Sequence, residues 1–545
     1  MSNVTESQPR SKAKALLNLH SWSGIALGML LYAVIFTGTV AVVSDEVGEW
    51  SNSNQHQQLL ATQNVDEVLS QLAAQTNSDY LEEISAYEDH RQNLVFFFHT
   101  HRQNPDGVMD EYGVQYKVNA NGNIVQQQEG FGSDIYAQDD SYALSRFLVS
   151  IHTELHLPAP WGLILTGMLG LAMLIAAVSG FMMHRHLFTD LFTIRKQRDG
   201  KSLKRDSHTV AGTWSIPFAI LLAFTGSFFS FATAFGLPAM AIVAFGGDQE
   251  AMMHTLVGEQ QHKSKAPQPS ASVNTMLSDA VSRQSAVPTF IAISHWGTES
   301  ASMMAFFMPS DGEVGFAQLV YNATNGDFVE FKPQVGTVPS TGSVIMSLIY
   351  PVHFGTFAGF MSKIIWISLG VASCYVTVTG LQLYAFRNEK QASGWRWFSR
   401  LCVWGFCGLP LCSLSSALAF FVSGALVANQ SVWTPLAFVL AAAMVSILAL
   451  TVKSIVRLQN LLLASNGLLC LLLPVIRYLT SEFGWLQAIE QGNVSLMFID
   501  AVLLLCSGWC FHRIYVSSEA KQSNTNDADA IVHDESLNDT AGVAK

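Results

Sequence analysis

Apolar positions along the chain fall into two kinds of pattern. Eight runs near 22–43, 162–183, 210–232, 364–386, 401–427, 433–452, 460–476 and 494–512 are almost continuously apolar. Each approaches the ~20 residues that a helix needs to cross a bilayer. Between the first and second runs, and between the third and fourth, the pattern changes. GVQYKVNANGNIV (113–125) and GFAQLVYNATNGDFV (315–329) alternate apolar and polar residues into an Asn-Gly-type turn, which predicts β-hairpins. Upstream, ISAYEDHRQNLVFFFHT and IAISHWGTESASMMAFFMP each read as strand, turn, strand, preceded by helical patterns around 64–75 and 272–283. Each intervening region therefore predicts a small α+β domain inserted between two membrane helices.

The two regions belong to an internal duplication whose unit is helix, domain, helix, over about 15–190 and 203–390. His20 is followed by Gly24 at +4 and by Thr37-Gly38 at +17 and +18, and His208 by Gly212 and Thr225-Gly226 at the same intervals. His152 precedes Gly170 and Gly180 at intervals of 18 then 10, and His353 precedes Gly370 and Gly380 at 17 then 10. Each unit returns the chain to its starting side, so the copies are parallel, with a pseudo-two-fold axis along the membrane normal. Equivalent residues face each other across such an axis. His20 is thus expected to meet His208 near the inner surface, and His152 to meet His353 near the outer one.

Imidazole is a standard axial ligand of haem iron, and intramembrane ionisable residues are functional by default. Two opposed pairs therefore predict two sites. Gly24 and Gly212 lie one turn beyond His20 and His208 on the same face, where a porphyrin edge could approach the helix. The alternative is simple helix packing, which favours small residues in membranes. His156 competes with His152, but the repeat alignment puts Leu155 and Gly170 in register with His152. His184 and His186 take second place as ligands of the inner site, because their counterparts are Tyr384 and Phe386. His99 and His101 share one strand face at a metal-binding spacing; with no further ligand visible, a solvated strand face is expected. Trp22, Trp161, Trp214 and Trp366 near helix ends read as interfacial belt residues.

Composition narrows the class. The chain has 545 residues, 50% hydrophobic and 13% charged, which excludes an ordinary soluble domain. Lys and Arg concentrate at 10–14, 185–205, 387–400 and 453–457. These alternate segments are expected to be cytoplasmic, with both termini inside and the two domains outside. The net charge of −12 reflects acidic external regions and tail and argues against nucleic acid as a partner. The first apolar run reads as an anchor rather than a cleaved signal.

All seven cysteines lie in or beside membrane helices, so no disulfide framework supports the external domains. Covalent haem attachment through Cys-x-x-Cys-His is excluded. Nucleophile elbow, phosphate loop, dinucleotide fingerprint and metalloprotease helix are absent from the sequence. The expected boundaries are 1–43 (N-terminus and first helix), 44–146 (first domain), 147–190 (second helix), 191–207 (basic loop), 208–232 (third helix), 233–343 (second domain) and 344–390 (fourth helix). Four more helices follow over 391–516, with no histidine until His512 and no visible redox chemistry, then a tail over 517–545 whose composition predicts disorder.

The pieces LHSWSG (19–24) with FTG (36–38), FLVSIHTEL (147–155), HTVAGTW (208–214) with FTG (224–226), and VHFGTFAG (352–359) with TG (379–380) resemble the PepSY-associated transmembrane helix family of bacterial inner-membrane proteins. The resemblance covers about 15–390. It implies an all-α membrane bundle of about eight transmembrane helices, carrying two small α+β PepSY-like periplasmic domains in a parallel duplication. Members include haem-containing ferric-siderophore reductases. The expectation is accordingly a protein with two haem b groups, ligated by His20 with His208 and by His152 with His353, that passes electrons to a periplasmic ferric siderophore. Quinol, a flavoprotein and a cytoplasmic reductase all remain open as donor. Two other readings stand beside it. A siderophore or iron transporter is disfavoured by the scarcity of charge within the helices. A peptide-binding or regulatory PepSY protein leaves the duplicated histidines without a cause.

Overall fold

A computed structural model describes residues 7–52, 59–105, 107–183, 200–248, 251–252, 266–308, 316–332, 340–388, 394–427, 429–481 and 483–541. The protein is a multi-pass membrane bundle capped by one antiparallel sheet. Among the described residues, eight helices are long and apolar enough to cross a membrane. Four of them come from the duplicated units: α1 (Ser7–Ala41), α6 (Trp161–Met182), α7 (Gly200–Phe231) and α11 (Gly359–Asn388). They close a ring, α1 against α6, α6 against α7, α7 against α11, and α11 back on α1.

Shorter helices lie between these. They are α2 (Ser44–Asn52), α3 (Val65–Gln75), α4 (Gly132–Gln138), α5 (Ala143–Glu154), α8 (Leu237–Phe245), α9 (Val273–Gln284) and α10 (Thr341–Phe354). The last part of the chain forms α12 (Gly394–Val403), α13 (Leu409–Leu426), α14 (Gln430–Thr451), α15 (Ile455–Ser481) and α16 (Val494–Ala541).

Four expectations differ from the structure, one being that the fourth membrane helix, expected over 344–390, is two helices, α10 and α11. The third membrane helix is not confined to 208–232: it begins at Gly200 and continues through a π-helical turn, Ala232–Gly236, into α8. The apolar run persists there, and the wider turn accommodates Pro238, which has no N–H to give. The second membrane segment is two helices, because α5 ends in left-handed residues at Leu155 and His156 before α6 starts. The polar tail is helical through Ala541 rather than disordered. Residues 517–541 contain no Gly or Pro, and extending a helix already anchored in the bundle avoids the cost of nucleation.

The two inserted domains share a single eight-stranded sheet, ordered β4-β3-β2-β1-β5-β6-β7-β8. Its strands are β1 (Glu83–Glu88), β2 (Leu94–Gln103), β3 (Met109–Val118), β4 (Ile124–Phe131), β5 (Phe290–Ser294), β6 (Ser302–Phe307), β7 (Ala317–Asn322) and β8 (Phe328–Phe331). β1 pairs with β5 from Glu83↔Ser294 to Tyr87↔Phe290, so the pseudo-two-fold axis runs between them. Without this join, β1 and β5 would each expose a row of backbone donors and acceptors; it pairs those two edges, leaving β4 and β8 at the rims.

One sheet face packs on α3 and α9 through a common core that includes Ile84, Phe96, Phe98, Tyr116, Ile291, Met303, Phe307 and Tyr321. Those two helices meet at their N-termini, where Asp66 accepts from Val273 N at 2.6 Å and from Ser272 Oγ at 2.6 Å. The opposite face looks toward the membrane bundle. Lys117 on that face donates to Asp89 at 2.9 Å and to Asp139 at 2.6 Å, just ahead of α5.

The four C-terminal membrane helices dock on the first unit. Val43, Val47, Trp50, Leu144, Phe147 and Leu148 from α1–α2 and α5 form one core with Phe420, Phe421, Leu473 and Leu496. At its end, buried Asp500 accepts from Trp50 Nε1 at 2.7 Å, Trp485 Nε1 at 2.8 Å and Arg477 Nη2 at 3.0 Å. Lys363 of α11 likewise donates to Glu46 of α2 at 2.6 Å. Both ion pairs lie toward the sheet-side ends of their helices, leaving the middle of the bundle free of charge.

Candidate functional site

The duplicated histidines project into the ring at two levels. Opposite the sheet, His20 of α1 and His208 of α7 have ring centroids 6.4 Å apart with planes crossing at 67°. They line a cavity of about 690 Å³ together with Gly24, Gly28, Gly212 and Arg205. A Cβ at Gly24 would meet nothing within 4 Å, and one at Gly212 only Val376 at 3.8 Å. These two glycines therefore leave room in the cavity rather than close a helix contact. Two imidazoles sharing one metal ion at ~2.0–2.1 Å per nitrogen have centroids roughly 6 Å apart. The observed spacing matches that arrangement.

On the sheet side, His152 ends α5 and His353 ends α10. Among the described residues, no ring contact like that of His20 with His208 joins His152 to His353. Phe229 and Phe354 flank the His353 ring at 5.4 and 5.3 Å.

All four rings are oriented in one way, through Nδ1. His20 Nδ1 lies 2.9 Å from Ala176 O, and His208 Nδ1 lies 2.9 Å from Val376 O and 3.1 Å from Thr379 Oγ1. His152 Nδ1 lies 3.1 Å from Val34 O and 3.4 Å from Thr37 Oγ1, and His353 Nδ1 lies 2.7 Å from Thr225 Oγ1. A carbonyl only accepts, so three of the rings carry their proton on Nδ1. The threonine at His353 gives the same answer, because the Thr225 hydroxyl donates its hydrogen to Leu221 O at 2.8 Å and so accepts from the ring. A neutral imidazole protonated on Nδ1 presents its lone pair on Nε2, and an Nδ1–H held by a carbonyl is the usual second-shell arrangement of a metal-ligating histidine.

Glycines make these contacts possible, and they act across helices. A Cβ at Gly38 would sit 2.7 Å from His152 Cε1, and one at Gly226 3.3 Å from His353 Cε1. Gly180 and Gly380 hold the same relation to His20 and His208, at 3.1 Å each. The Thr-Gly marks that follow His20 and His208 in sequence thus belong structurally to His152 and His353.

Two further positioning residues carry no sequence mark of their own. Thr166 Oγ1 donates to Thr153 O at 2.8 Å, and Trp366 Nε1 donates to Val352 O at 3.0 Å. Each fixes the carbonyl next to a sheet-side histidine. Trp366 is therefore packed within the fold against Phe218 and Phe357 rather than sitting in an interfacial belt. Trp22, Trp161 and Trp214 are exposed on the bundle surface.

His156 turns away from the pair, exposed and near Phe147 and Phe438. His184 and His186 lie outside the described residues. His99 is not on a solvated face: it is 2% exposed, with its ring stacked on Phe97, because this part of the sheet is covered on both sides. Among the described residues no group of three or more His, Cys, Asp or Glu side chains is placed to hold a metal ion.

Comparison with known proteins agrees with the architecture. The chain is 22% identical over 393 residues to an uncharacterized Pseudomonas aeruginosa protein, covering 68% of this chain and 95% of that one. The model of the PepSY-associated TM region matches residues 17–387, the span that holds both repeats, the shared sheet and all four oriented histidines. The chain belongs to the PepSY-associated transmembrane family.

Proposed function

We propose that this protein is a transmembrane electron conduit that holds two b-type haems and reduces a ferric siderophore on the sheet side of the membrane. The observation that carries the reading is the His20–His208 pair: two rings from duplicated halves, 6.4 Å apart beside a cavity floored by Gly24 and Gly212. An iron porphyrin is compatible with these residues, since both rings are held through Nδ1, which leaves Nε2 free to ligate, and the two glycines carry no side chain. When bound, haem supplies reversible one-electron exchange between ferric and ferrous iron.

The chain contributes position and tuning. His20 and His208 would hold the group away from the sheet, and His152 and His353 the one beneath it. The Nδ1 acceptors raise the basicity of the ligating nitrogens and fix their orientation. The apolar ring of α1, α6, α7 and α11 keeps water from the path. Single electrons would enter from a quinol or a reductase on the side of the basic loops and leave to ferric iron beneath the sheet. The excess of Lys and Arg on the far side supports a bacterial inner membrane with the sheet in the periplasm.

The test is a pyridine haemochrome assay on protein purified from cells supplied with haem. Two haem b per chain are expected, and His353→Ala should leave one, with the spectrum of the His20–His208 site. Protein that binds no haem under these conditions would sink the reading.

A further inference from the structure

The stretch of α7 that leads into His208 puts three consecutive side chains in three different settings. Leu203 is 39% exposed on the bundle surface. Lys204 packs on α11, donating to Gln382 Oε1 at 3.1 Å, with its Nζ 4.5 Å from the centre of the Phe386 ring. Arg205 is exposed yet lines the cavity of about 690 Å³ that His20 and His208 share, so it stands at the cavity mouth. Arg205 and His208 are three residues apart and therefore share one helix face. That spacing sets the arginine roughly 4.5 Å closer to the basic-loop end of the helix. Ser202, one further turn back, lines the cavity as well.

Arg205 is the residue that needs explaining. Among the described residues no hydrogen bond or ion pair engages its guanidinium, although Lys204 beside it is bonded. The duplication does not repeat it either. Three residues before His20 stands Leu17, which lines the same cavity. One wall of the mouth thus carries a planar cation with five donors, and the other an alkyl side chain. A guanidinium fork matches a carboxylate in a bidentate pair.

We propose that Arg205 anchors a porphyrin carboxylate: its guanidinium pairs with a propionate of the haem held between His20 and His208, fixing that haem's polar edge toward the basic-loop side. The inference rests on the electron-conduit reading. Haem b has one apolar edge and one edge that carries two carboxylates. An ionised carboxylate is costly in the bilayer interior, so the acidic edge belongs at the end of the cavity nearer water, where Arg205 stands. Because Leu17 takes the equivalent place in the first copy, the contact is made from the α7 wall alone. A lipid phosphate would offer the same anionic oxygen to a guanidinium, and esterifying the haem separates the two sources.

The experiment uses the full chain carrying His353→Ala, so that the His20–His208 site is read alone. Haem b and its dimethyl ester are titrated into this protein in detergent, and the Soret band is followed. Adding Arg205→Gln should weaken haem b binding by about fivefold, the scale of an exposed ion pair, and leave binding of the diester unchanged. Arg205→Lys, which keeps the charge without the fork, should fall between, and added salt should shrink the difference. The haem-free melting temperature should be the same with either substitution as without it. Haem b bound equally with and without Arg205→Gln would overturn the anchor and leave the conduit standing. So would an equal loss for haem b and the diester, which would assign Arg205 to lipid or to the fold. No haem bound by the unsubstituted chain or by any variant would overturn both readings.

Discussion

Alanine at Gly38 gives the sharpest test of how the sheet-side histidine is held. A Cβ there would lie 2.7 Å from His152 Cε1, 3.1 Å from Nδ1 and 3.3 Å from Nε2. Unbonded carbons prefer about 3.5–4.0 Å, so the ring or the helix must retreat by roughly 0.8 Å or more. His152 has little freedom to do so, since Val34 O and Thr37 Oγ1 hold its Nδ1 and the Thr166 hydroxyl pins the next carbonyl. Overpacking of this kind costs about 1–3 kcal/mol. Taken near 2 kcal/mol, and placed on the ligand orientation, that is ~30-fold in affinity for whatever His152 ligates.

The repeat supplies its own controls. Gly226→Ala brings a Cβ only to 3.3 Å of His353 Cε1, and Gly180→Ala and Gly380→Ala bring one to 3.1 Å of their histidines. The expected order of damage is therefore Gly38, then Gly180 and Gly380, then Gly226. Haem per chain at limiting haem, with the melting temperature of each variant, measures it. A Gly38→Ala protein that retains wild-type haem at both sites, or a Gly226→Ala protein that is worse, would refute the argument.

In the conduit reading, Thr225→Val, which removes the hydroxyl that accepts from His353 Nδ1 at 2.7 Å, should weaken sheet-side haem binding by roughly 10- to 100-fold; Thr379→Val should do less, because Val376 O still lies 2.9 Å from His208 Nδ1, and parallel haem titrations compare them. Lys117→Met leaves Asp89 and Asp139 buried beside each other without their cation, at a cost of about 3–5 kcal/mol, to be read as a lowered melting temperature of the sheet domain; an unchanged value would mean that the cluster holds nothing. His99 sets a pH dependence of stability. Its folded value of about 3 lies below the ordinary 6.5, so its contribution is complete above pH 6.5 and is lost as pH falls toward 3. At 1.36 kcal/mol per unit that amounts to about 5 kcal/mol. His99→Phe should flatten this acid slope in denaturant melts, and a slope identical to wild type would contradict the burial argument.

The membrane spans and the hairpins were legible because their signals are local. A 20-residue apolar run and a period-two alternation each report the element that contains them, and the turns at Gly122 and Gly326 have the positive φ that their Asn-Gly-type sequences imply. The wiring of the site was not legible in that way. Thr37-Gly38 follows His20 in sequence, yet 17–18 residues of helix rise about 26 Å, which puts that mark at the other side of the bilayer. Helices pack against what lies at their own depth, so Gly38 serves His152 of another helix. The β1–β5 join likewise pairs segments about 200 residues apart and leaves no mark on either strand. The burial of His99 was hidden because alternation shows which residues share a face, not whether a second layer covers it. Thr166 and Trp366 stand at matching places in the two copies but differ in type, so only the carbonyls they bond reveal the shared role.

Duplication explains where two opposed ligands come from, but symmetry alone gives a conduit no direction. Direction has to reside in what the copies do not repeat. The pair away from the sheet opens toward Arg205 through a cavity that Gly24, Gly28 and Gly212 help to line. Its rings are held by backbone carbonyls at 2.9 Å. On the sheet side, the ring of His353 leans on the Thr225 hydroxyl and is flanked by Phe229 and Phe354. The C-terminal helices add a second asymmetry. They brace α2 and α5, behind His152, through the Trp50–Asp500–Arg477 network, whereas α10, behind His353, is held by Trp366. A site that opens toward Arg205 at one surface and one whose His353 is flanked by aromatic rings at the other would, in the conduit reading, be different redox environments built from one repeated motif. In the conduit reading, that difference lets one ring of helices favour electron flow in a single direction.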